Sequence, residues 1–136
     1  MIRAIALLVL LATQAAGAAE HPAFLIGHWF GQGEPNDRSE MWLGRASANG
    51  DFAVQFRTCR KGKASDLFQK GIWWFQDGVE YVQITLSGGR VVFDETPYKM
   101  LFHDGKHQTY SMPSGFVFKS SRVDTNFQMP PCELVS

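Results

Sequence analysis

Residues 25–33 read L-I-G-H-W-F-G-Q-G, and one parity of that stretch carries Gly27, Trp29, Gly31 and Gly33. Alternate residues of a strand share a face. The stretch is therefore a strand with one large ring among bare backbone, where a neighbouring strand or a core side chain can come close. What precedes it reads as a leader. Arg3 is a positive n-region, Ala4 to Ala12 is almost wholly apolar, and Ala16-Gly17-Ala18 is a small-residue cleavage pattern, with a cut after Ala19 fitting nearly as well. The apolar run is shorter than the roughly 20 residues of a membrane-spanning helix. No Cys stands at the cut to carry a lipid. The expectation is a signal peptide over residues 1–19 and one exported domain over residues 20–136, periplasmic or secreted, with no transmembrane segment.

Downstream of Gly33, apolar residues do not recur at helical spacing over any long window. Short runs rich in Phe, Trp, Tyr, Val and Ile alternate instead with turn clusters. Phe24 to Gln32 is the first run, preceded by a helical turn near His21–Phe24. Ser39 to Ala46 follows, then Phe52 to Arg60, Leu67 to Gln76 and Val79 to Leu86. Val91 to Phe93 is short, and Tyr98 to His103, Lys106 to Met112 and Phe116 to Thr125 complete the set. Asn49-Gly50 and Asp77-Gly78 are hairpin signals, because both residue types tolerate positive φ. Eight or nine short strands joined by tight turns predict an all-β fold, an antiparallel up-and-down meander. Closing it into a barrel removes the two exposed edges. A two-sheet sandwich is the alternative, but it needs crossovers longer than any connection here.

Lys and Arg together number 13, as do Asp and Glu. Losing Arg3 leaves a slight negative charge, which excludes an electrostatic case for nucleic acid. Cys59 and Cys132 are an even pair in an exported chain, the pattern of one disulfide joining a mid-chain strand to the tail. Two free buried thiols or a redox site are the alternatives, and neither Cys belongs to a C-x-x-C pair.

Gly27-His28-Trp29 resembles the G-x-W signature on the first strand of lipocalins and their calycin relatives. The resemblance implies a barrel closed at one end by Trp29, with Arg122 of the last strand, F-V-F-K-S-S-R-V, stacked over it. The longer G-x-W-x-G-x-G form, Gly27 to Gly33, also resembles the first strand of nitrobindins, whose barrels hold haem through a His near the C-terminal end. No His follows His107 here, so no haem and no other cofactor is expected.

Ser, His and Asp are present without a G-x-S-x-G elbow, and Ser114-Gly115 reads as a turn. Asp94-Glu95 is a loop pair rather than an acid–base pair. His103 and His107 flank the Asp104-Gly105 turn with Asp104 near both, but no further ligand is visible, so the expectation is a polar barrel rim, with no catalytic and no metal residues. On the third run, alternation favours Phe52, Val54 and Phe56 facing in and Arg57 facing out; the alternative is Arg57 turned inward to hold a carboxylate. The resulting expectation is a non-enzymatic binding module taking a small hydrophobic molecule. Its lining would be Trp42, Phe56, Trp74, Tyr81, Met100, Tyr110 and Phe118. The alternative is a protein-interaction module with a filled barrel, similar in plan to periplasmic lysozyme inhibitors, with a docking patch around Trp73 and Phe75.

Overall fold

The computed structural model describes residues 20–34 and 37–132, so the expected signal peptide lies outside the described residues. Eight strands follow in order: β1 (Gly27–Glu34), β2 (Asp37–Ala46), β3 (Asp51–Arg60), β4 (Lys63–Gln76), β5 (Val79–Ser87), β6 (Arg90–His103), β7 (His107–Ser111) and β8 (Val117–Val123). Each pairs antiparallel with the next, and β8 pairs with β1, so the sheet closes into an up-and-down barrel.

The turns explain the register. Lys61-Gly62, Asp77-Gly78 and Gly88-Gly89 each place both central residues at positive φ, the backbone twist of a two-residue hairpin. They pair Arg60 with Lys63, Gln76 with Val79 and Ser87 with Arg90. At Asn49-Gly50 the Asn49 Oδ1 accepts the Asp51 N–H at 3.0 Å, a side-chain turn that seats the hairpin.

One expectation fails in detail. The runs Val91 to Phe93 and Tyr98 to His103 are a single strand, and Asp94 to Pro97 is not a turn. Pro97 is tolerated because it is paired with Tyr81 on the β5 side, while the ladder to β7 begins only at Lys99. The missing N–H therefore costs no rung.

The segment before β1 crosses the end of the barrel made by the turns after β2, β4 and β6. Glu20 exchanges two backbone hydrogen bonds with Phe75 (3.1 and 2.8 Å). His21 Nε2 lies 2.8 Å from the Trp73 carbonyl oxygen. The expected helical turn is here a non-helical turn, closed by bonds from Leu25 N–H to the Pro22 carbonyl and from Ile26 N–H to the Ala23 carbonyl. Leu25, Ala46, Trp73, Val82 and Ile84 form the core beneath this cap. Trp73 is 1 % exposed and Leu25 also 1 %, and burying rings and branched side chains of this size is worth about 2–3 kcal/mol each.

Beyond β8 the chain turns back along the outside of β1–β3. The Phe127 ring meets Phe30 at 5.1 Å, Met129 packs with Met41, and Cys132 is disulfide-bonded to Cys59, 73 positions away, with Cα atoms 5.4 Å apart. Arg57 is on this outer face, the side that alternation favoured. It bonds Asp66 at 2.8 Å and donates to the Pro130 carbonyl at 3.2 Å. No helix among the described residues is long and apolar enough to cross a membrane.

Candidate functional site

The barrel end opposite the cap is open, and a cavity of about 730 Å³ runs in from it. Its walls come from β2, β3, β5, β6, β7 and β8, with Gln69 from β4. The floor is Trp29, whose indole N–H donates to the Leu25 carbonyl at 3.0 Å. The Arg122 guanidinium is stacked 4.4 Å from the centre of the Trp29 ring. Arg122 also donates to the carbonyls of Phe24 (3.0 Å), Ile26 and Gly105 (2.8 Å). One side chain thus gathers the cap, the β6–β7 turn and the floor. Gly27 has φ +137°, and a Cβ there would strike the same guanidinium, so this position needs glycine on both counts. Gly31 leaves room for the Trp42 ring to lie across β1. Trp29 is therefore both the plug of the barrel and part of the cavity surface.

Four of the seven residues expected to line the interior do border this cavity: Trp42, Phe56, Tyr110 and Phe118. Phe118 lies edge-on to Trp42 (5.4 Å) and stacks on Tyr110 (5.5 Å), and Tyr98 meets Tyr110 edge-on at 5.3 Å. This is one continuous aromatic wall. Met100 borders no part of the cavity and packs instead against the apolar core at the capped end.

Trp74 and Tyr81 correct the sequence expectation. They are register partners on the outer face, stacked on one another at 5.3 Å. The reason is the Asp77-Gly78 turn, which sets Phe75 opposite Glu80 and Trp73 opposite Val82. With Trp73 inside, the even positions of β5 must be inside too. The expected docking patch around Trp73 and Phe75 fails for the same reason. Trp73 is core, with its indole N–H donated to Ser47 at 2.9 Å, and Phe75 is edge-on to Phe24 at 5.4 Å.

What the sequence reading missed is the polar content of the cavity. Glu80, 9 % exposed, points inward from β5, and burial alone pushes its carboxyl up to about 7. Its register partner Tyr98 is pushed up as well, by its own burial first and then by the Glu80 charge. Gln108 of β7 is buried, borders the cavity, and its Oε1 has no hydrogen-bond partner. Ser120 of β8 is a junction: its Oγ accepts from the Trp42 indole at 3.1 Å and lies 3.2 Å from the Tyr110 hydroxyl. Burial raises the Tyr110 hydroxyl, with the Ser120 bond pulling the other way. Asp94 and Glu95 of β6 sit at the mouth. One signal could have found Glu80, namely the two-residue turn that places it across from Phe75, on the face of Trp73.

His103 and His107 flank a turn at the capped end, away from the mouth. His103 stacks on Phe24 at 4.0 Å, and His107 Nδ1 lies 3.2 Å from Asp104 Oδ2. Asp104 accepts the backbone N–H groups of Lys106 and His107, and these bonds hold its carboxyl down to about 2. The group is accounted for as a side-chain-capped turn. Among protein-family models, curated proteins and solved structures, none matches this chain, so the likeness to lipocalins stands on the closed barrel itself and on the Trp29–Arg122 stack.

Proposed function

We propose that this protein is an exported, non-enzymatic binding protein, periplasmic or secreted, that holds one small, largely hydrophobic molecule in its barrel. The observation that carries the reading is the cavity of about 730 Å³, walled mainly by aromatic and aliphatic side chains with a few convergent polar groups. Volumes of roughly 300–1,000 Å³ and that mixture of surfaces characterise small-molecule sites. The Cys59–Cys132 disulfide supports an oxidising compartment. Binding here is desolvation in a preformed cavity, worth about 25 cal/mol for each Å² of apolar surface removed from water. The interaction-module alternative called for a filled barrel and an outward Trp73, and neither is present.

Titration with Nile red, an uncharged apolar dye, tests the reading. One saturable site is expected, and Val54→Trp, which projects a ring into the cavity from β3, should weaken it at least tenfold while the β-sheet circular dichroism is kept. Dye that stays dark with the wild-type protein, or binds the Val54→Trp variant equally well, would show that the barrel is not the site.

A further inference from the structure

The charges of the cavity are one-sided. Glu80 stands on its wall, Asp94 and Glu95 stand at its mouth, and no Lys, Arg or His among the described residues lines it. The remaining unmet polar atom, Gln108 Oε1, is an acceptor, buried and without a partner. Carboxylates gathered on one space, beside the unpartnered amide of Gln108, call for donors from whatever fills it. The walls add the rings of Trp42, Tyr98, Tyr110 and Phe118, and an aromatic face attracts a cation within about 6 Å of the ring centre.

The geometry points to an organic cation as the occupant, an aromatic or alkyl amine whose ammonium meets Glu80 while its apolar body lies against the aromatic wall. This rests on the binding reading above and narrows it to a chemical class. An anionic ligand would face three carboxylates with no counter-charge. A wholly apolar ligand would leave the Glu80 carboxyl buried and unmet, the costly arrangement for a polar group.

Protonation gives the class a signature. The groups facing Glu80 are Tyr98 from β6 and Tyr110 from β7. Both hydroxyls are raised and stay neutral through the physiological range. β4 brings Trp73 and Phe75, neither of which titrates. Glu80 is therefore the group that changes charge near pH 7. Below that it is protonated and loses its pull on a cation, while an alkylamine with an ordinary pKa of about 10 keeps its charge.

Calorimetric titration with three molecules of one shape decides it: tryptamine, the uncharged alcohol tryptophol and the anion indole-3-propionate. Tryptamine is expected to bind at least about tenfold tighter than tryptophol, as a charge-assisted bond in a desolvated site should, with indole-3-propionate weakest. In Glu80→Gln that preference should collapse, while tryptophol affinity stays within about threefold. Should Glu80→Gln fail to fold, the wild-type protein answers alone. Tryptamine affinity should then fall about tenfold between pH 8 and pH 5.5 with tryptophol unchanged. Tryptophol or indole-3-propionate binding as tightly as tryptamine, or a tryptamine affinity indifferent to both pH and Glu80, overturns the cation class and leaves the Nile red site standing. If neither the indoles nor Nile red bind, the binding reading falls and takes the cation class with it.

Discussion

Glu80 sets a cost that can be read as a pH dependence. Burial pushes its carboxyl up to about 7 in the folded state, from an ordinary value of 4.5. The folded state thus holds a proton that the unfolded chain releases between those values. Stability is greatest below about pH 4.5 as far as this group is concerned, and it falls as pH rises toward 7. By linkage the loss is about 3 kcal/mol at pH 8. Glu80→Gln removes the ionisation and keeps the shape. Thermal melts should show the variant more stable than wild type at pH 8 and nearly equal to it at pH 4.5. A variant less stable at pH 8 would mean that the carboxylate has a partner the structure does not show. Arg122 makes a second prediction at this scale. Its planar fork reaches three carbonyls and a ring at once. A lysine ammonium has donors at one point only and cannot span them. Arg122→Lys should cost about 2 kcal/mol in urea unfolding, and a loss under about 0.5 kcal/mol would reduce the guanidinium to a bystander.

At the scale of elements, the turns were the legible part. Asp77-Gly78 and Asn49-Gly50 announce their hairpins because few dipeptides accept that backbone. The alternation of Phe52, Val54 and Phe56 likewise showed which way β3 faces, and those three residues do border the cavity. β5 was opaque because both its parities mix apolar and polar residues, and because a carboxylate ordinarily marks an outer face. Register shifts between Lys70 and Gly71 and between Ile84 and Leu86 break the simple alternation further along β4 and β5. β6 was read as two pieces because Pro97 is a strand breaker by type. Its harmlessness depends on where β7 begins, which no local pattern states. The C-terminal strap is the element most open to experiment. Replacing both Cys59 and Cys132 by Ser should cost up to about 4 kcal/mol by the chain-entropy argument. Limited proteolysis should then cut within residues 124–132 first, leaving the barrel resistant. First cuts inside the strands would show that the strap and the barrel unfold as one.

The whole molecule is a ring whose cavity depends on its closure. His28 pairs with Val123 and Gly31 with Ser120, so the first strand and the last share a ladder. The turns announced the antiparallel meander but left eight or nine strands open, and the plugged end was what the resemblance of the G-x-W stretch implied. The polar interior could not be read in the same way, since Glu80, Gln108 and Ser120 come from three strands whose common facing exists only once the ring is shut. Closure also dictates an order of events. While β8 is still unmade, the outer edge of β1 has no partner, and the sheet offers a raw edge on each side. A fold whose deciding contact joins its two ends waits for the end of the chain and belongs to the slower class of folders. For the export proposed above, that delay would be useful, because the last rung cannot lock until the final strand has been delivered.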